Sequence, residues 1–187
     1  NNISIEATHE FEEEDLVIDE DFIAECNKGD TVGISYSKQC PILNYLTLGV
    51  PLGEMFMVGG HSGAGKSSFV FENMIIPMAE EGVDVAIISN EMRSQDYKIM
   101  LLAHILTKNL NYWKMTRKQI KMGHFSEEQM DMLHKAMKIS EEKYSKIHFI
   151  KLFDNDVSKV LKYITKLSKR GVQVFLWDTM KSDDSME

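Results

Sequence analysis

Cysteine is scarce in this chain, with Cys26 and Cys40 the whole supply in 187 residues. Two thiols cannot build a disulfide framework or a four-ligand zinc site. The six histidines show no metal-ligand spacing, so no zinc is expected. No run approaches the roughly 18 apolar residues that a membrane span needs, and no secretory apolar region opens the chain. Internal repeats and Gly/Ser-rich linkers are also missing. These absences exclude a disulfide scaffold and argue against a membrane protein, leaving a reducing, cytoplasmic setting as the simplest expectation.

What remains is a chain of one-domain length, 43% hydrophobic, with enough apolar material for a real core. Its formal charge of −8 is unevenly spread. Residues 1–30 hold eleven acids against Lys28, so the body, 31–187, stands at +2. Within that body, 93–170 carries 17 bases and eight acids. The average alone would argue against a nucleic-acid partner, but the divided charge permits one. The expected organisation is an acidic arm or linker over 1–30 and a catalytic domain over 31–187. Like-charge blocks of this kind are usually solvated tails. The alternative is a short helix docking on a neighbouring subunit through Leu16, Val17, Phe22, Ile23 and Cys26. The chain opens on Asn1 rather than Met, which fits processing or a portion of a longer protein.

From about residue 54, short apolar runs alternate with longer helical patterns. Strands are expected at Met55–Val58, Val83–Ser89, Ile147–Leu152 and Val172–Trp177, since continuous apolar runs suit a parallel sheet covered on both faces. Ser94 can cap a helix to about Thr107. Ser126 with Gln129 forms a capping-box pattern. Asp156 can cap a third helix, with Val157, Val160, Leu161, Ile164 and Leu167 on one stripe and Gly171 closing it. The alternation predicts an α/β fold, a doubly wound parallel sheet flanked by helices. One conflict stands out: Pro77 falls within the helix expected after Lys66, so that helix either ends near Ile76 or kinks there.

Gly60-His61-Ser62-Gly63-Ala64-Gly65-Lys66-Ser67 matches G-x-x-x-x-G-K-[ST] in full. Glycines let backbone amides approach phosphate oxygens, and the helix start that follows adds partial positive charge. Lys66 is expected to reach the β- and γ-phosphates of ATP, and the Ser67 hydroxyl to bind Mg²⁺. Ser68 joins the cradle at the helix start, while His61 occupies a variable position and has no role of its own. The motif follows an apolar run and opens a helical stretch, the context in which it carries meaning.

Two acids narrow the chemistry. Asp178 ends Val174-Phe175-Leu176-Trp177-Asp178, the Walker-B form, in which a buried strand delivers a carboxylate to the Mg²⁺ shell. Glu91 lies just beyond the strand after the phosphate loop, at the carboxyl edge where open sheets place ligands. If its strand neighbours the loop strand, Glu91 can take a proton from the attacking water; otherwise it decorates the next helix. Thr179, not an acid, follows Asp178, so the base must come from another strand, which points to the RecA-like branch.

Glu91-Met92 after Ile87-Ile88-Ser89-Asn90, the segment Gly123 to Met137, and Thr47 to Val58 leading into the loop together resemble the DnaB-type replicative helicases, in the manner of phage-encoded members. The likeness covers about 38–181. It implies a RecA-like ATPase core in a hexameric ring around single-stranded DNA, with a primase or helicase loader as further partners. It also implies that Gly60, Gly65, Lys66 and Ser67 contact nucleotide and Mg²⁺, with Glu91 as catalytic base and Asp178 as Mg²⁺ partner. The family's later glutamine strand, DNA loops and arginine finger have no counterpart before the chain stops, nine residues after Asp178. The expectation is therefore an amino-terminal portion of a motor core. Rival readings are a RecA-like recombinase or clock-type ATPase, and a non-hydrolysing accessory module derived from a helicase. Lys108, Lys114, Arg117, Lys118 and Lys121, with Tyr112 and Trp113 interleaved, suggest either a solvated basic surface or a DNA contact.

Overall fold

A computed structural model describes residues 17–28, 33–50, 53–154 and 156–180. The chain divides into two compact units, Asn1–Val32 and Gly33–Glu187. In the first, α1 (Glu20–Lys28) begins with Glu20 and Asp21 and ends with Lys28, charges that complement the helix dipole. Asp19 Oδ1 accepts from the Phe22 amide at 2.8 Å. Of the apolar residues in the arm, Leu16 lies outside the described residues.

The second unit holds α2 (Pro41–Thr47), α3 (Lys66–Val70), α4 (Ile76–Glu80), β1 (Val85–Ser89), α5 (Ser94–His104), α6 (Arg117–Met122), α7 (Glu127–Lys143), β2 (Ile147–Lys151), α8 (Val157–Ser168) and β3 (Val174–Asp178). The three strands form a parallel sheet in the order β2-β1-β3, with Ser89 opposite both Lys151 and Asp178. The α/β class holds. β1 is central and buried along its whole length, which is why it reads as an unbroken apolar run. Val85 and Ile87 face the large cluster with Phe71, Met74 and Tyr97. Ala86 and Ile88 face the other way, toward Leu167 and Val160 of α8, as the two-residue period requires. Among the described residues no helix is long and apolar enough to cross a membrane.

The expected strand at Met55–Val58 does not form. Met55 and Met57 are largely exposed. A strand exists only through its neighbour's hydrogen bonds, and no strand of the sheet pairs with this run. Apolarity alone therefore overstated it. Ser94 is not a cap either: Arg93 occupies that position, with no side-chain hydrogen bond. The Ser126–Gln129 box and the Asp156 cap both form, and Gly171 turns the chain at φ 96°. A further box, Thr116 with Gln119, opens α6.

Pro77 neither ends nor breaks its helix. Phe71–Ile75 form a π turn between α3 and α4, a widening that makes room for an irregular residue. A proline leaves the carbonyl four residues back without its donor. That carbonyl belongs to Asn73, and it accepts from the Ser37 amide at 2.9 Å instead.

The same π turn carries Glu72, whose Oε2 lies 2.8 Å from His104 Nδ1 and whose Oε1 accepts from Arg117 Nη2 at 2.7 Å. Burial alone would raise the Glu72 carboxyl, but His104 and then Arg117 outweigh it and hold it below its ordinary value of 4.5. A carboxylate depressed in the folded state contributes stability above its unfolded pKa and loses it as pH falls through the folded one. Thermal melts are thus expected to decline as the pH drops below about 4.5, and less steeply in Glu72→Gln. Parallel declines in the two proteins would remove Glu72 from this account.

Candidate nucleotide-binding site

The loop is exposed over 60–65 and turned by glycine where the backbone demands it: φ is 76° at Gly63 and 84° at Gly65, values that cost other residues strain. Gly65 is the residue before α3, and its carbonyl accepts the Phe69 amide at 2.8 Å. Ser62 and Ala64 lie in the exposed turn, where the Ala64 amide donates to the His61 carbonyl at 3.2 Å. Lys66 Nζ curls over the loop, donating to the carbonyls of Gly60 at 2.7 Å and His61 at 2.9 Å. Gly60 carries no side chain, and a Cβ there would meet the Lys66 stem at 3.5 Å.

Ser67 and Asp178, 111 residues apart, meet: Ser67 Oγ donates to Asp178 Oδ1 at 2.8 Å. Asp178 is 8% exposed, the one buried charged residue among those described. Its second oxygen, Oδ2, accepts from Tyr97 Oη at 2.6 Å. Burial, and then the Asp178 carboxylate, push the Tyr97 phenol well above its ordinary pKa, so it remains a donor. Ser68 turns elsewhere: its hydroxyl accepts from Arg117 Nη1 at 3.1 Å and donates to Met100 Sδ.

Glu91 is exposed, two residues beyond β1. The strand it follows adjoins the Asp178 strand rather than the 55–58 run. Two clasps fix the turn that carries it. The buried Ser89 hydroxyl accepts the Met92 amide at 2.9 Å and donates to its carbonyl at 3.1 Å. The Asn90 side chain grips the backbone beyond Asp178, donating to the Thr179 carbonyl at 3.0 Å and accepting its amide at 2.8 Å. The Asp178–Thr179 peptide is cis. Glu91, Asp178 and the loop serine thus share the carboxyl-terminal edge of the sheet.

Hard oxygen donors, a hydroxyl and a carboxylate converging at one point, suit Mg²⁺, which takes few protein ligands and completes its shell with water and phosphate. Sequence reasoning missed Tyr97 and Asn90. Tyr97 sits among apolar neighbours on α5 and reads as core. Asn90 stood in a quoted segment without a role, because its partner lies 89 residues away.

Three cations of the basic stretch pair with acids at the surface. Lys114 pairs with Glu128, Arg117 with Glu72 and Lys121 with Asp96, while Lys108 lies over the Trp113 ring at 5.9 Å. These surface pairings favour the solvated-surface reading of those cations over a DNA contact.

Residues 37–181 match the model of the DnaB-like helicase C terminal domain family. No curated protein matches the sequence. Among solved structures the chain is similar to the ATPase domain of a phage DnaB-like helicase, at TM-score 0.64 and 17% identity, over 93% of this chain. It spans 62% of that structure's length. At such identity the likeness speaks for the fold, which is RecA-like.

Proposed function

The chain belongs to the DnaB-like helicase C-terminal domain family, and on that footing we propose that it binds and hydrolyses ATP with Mg²⁺ as the motor domain of a hexameric replicative helicase moving on single-stranded DNA in the cytoplasm. The observation that carries this reading is the convergence of Ser67 and Asp178 at 2.8 Å beside the glycine-turned loop.

In this reading the amides of 60–67 and the Lys66 ammonium cradle the phosphates. Ser67 and Asp178 would hold Mg²⁺, whose charge offsets that developing on the transferring phosphoryl group. Glu91 takes the proton of the attacking water. An arginine supplied by a neighbouring subunit would complete the charge balance, worth roughly 10³–10⁵ in rate in related phosphoryl transfer. Primase or a loader would then engage the assembled ring.

Single-stranded DNA is expected to raise phosphate release from MgATP by the assembled protein. Release that ignores DNA would favour the recombinase or clock-type reading. Tight MgATP binding with no release in any condition would favour the non-hydrolysing module.

A further inference from the structure

We propose that Tyr97 is a positioning residue for Asp178, holding one carboxylate oxygen so that the other stays aimed at the Ser67 hydroxyl. The inference rests on the phosphate-site reading above. Asp178 ends its strand, and the terminal torsion of an aspartate is broad and roughly two-fold, so the strand alone does not decide which way the carboxylate faces. Two hydroxyls decide it: Ser67 takes Oδ1 at 2.8 Å and Tyr97 takes Oδ2 at 2.6 Å.

Tyr97 is itself immobilised. It is 4% exposed, its ring stands edge-on to Phe71 at 5.2 Å and tilted against Phe149 at 5.7 Å. Those contacts come from the helix that follows the phosphate loop and from β2, while Tyr97 belongs to α5. The phenol therefore ties Asp178 to three elements at once. Were the Ser67 oxygen to bind a cation, the Tyr97 bond would keep the carboxylate's direction whether or not the Ser67 hydroxyl still donated to Oδ1. Partners that orient a metal-site ligand in this way typically change metal affinity by roughly 10–100-fold when removed.

Tyr97→Phe keeps the ring and both aromatic contacts and deletes only the donor. Binding of a fluorescent ATP analogue to the full chain would be titrated with and without Mg²⁺. The Mg²⁺ concentration for half-maximal binding is expected to rise roughly 10–100-fold, with Mg²⁺-free affinity as in the wild type. An unchanged Mg²⁺ requirement would overturn the inference. So would an equal loss with and without Mg²⁺, which would make Tyr97 a packing residue only. Should the wild-type chain show no Mg²⁺-dependent binding, the phosphate-site reading fails first and the inference falls with it.

Discussion

Lys66→Ala is expected to reduce ATP affinity by roughly two to four decades. Its ammonium is held over the loop by the Gly60 and His61 carbonyls, the place where phosphate oxygens would compete for the same protons. Two charge-assisted hydrogen bonds at roughly 1.5–3 kcal/mol each amount to about 3–6 kcal/mol, and a decade of affinity is about 1.4 kcal/mol. Calorimetric titration with MgATP reads this directly. Lys66 opens α3 at the end of the loop, outside the apolar clusters, so the variant should melt near the wild type. Affinity retained within a few-fold would end the assignment of this loop to phosphate.

Glu91→Gln separates binding from chemistry. The amide keeps the side chain's size but cannot accept the proton of water, so turnover should fall by roughly 10²–10⁴, the usual contribution of a positioned base. Nucleotide affinity should hold, because Glu91 stands beyond the strand end and outside the loop. Turnover measured beside equilibrium binding separates the two quantities. Undiminished turnover would leave Glu91 as a solvated acid before α5 and send the search for the base elsewhere. Its placement has a mechanical basis: the Asn90 clasp on Thr179 fixes the turn bearing Glu91 against the strand end bearing Asp178.

The parts of the molecule legible in the sequence are those whose causes are local. The loop's spacing is a matter of eight consecutive residues, and the box at Ser126 and the cap at Asp156 act within three residues. Asp178 was legible because a strand and the acid ending it are contiguous. What resisted reading depends on partners far along the chain. Met55–Val58 has strand composition and no strand beside it. Pro77 is accommodated by Ser37, which no window around the proline contains. Tyr97 gains its significance from a carboxylate 81 residues later. The basic stretch looked like a field of one sign because its counter-charges, Glu72, Asp96 and Glu128, lie in other segments.

The π turn at Phe71–Ile75 has a consequence for helical phase. One residue advances an α-helix by roughly 100°, so an extra residue in the turn rotates everything downstream by that angle. Ser67 meets Asp178 on one side of this offset, while Met78 and Ala79 are buried on the other. Both alignments hold at once only with the offset in place. Within 71–75 the number of residues is therefore a requirement in its own right, beside the contacts of Phe71 and Glu72. A single deletion there would leave every side chain of the loop intact and still turn the loop serine out of line with its aspartate.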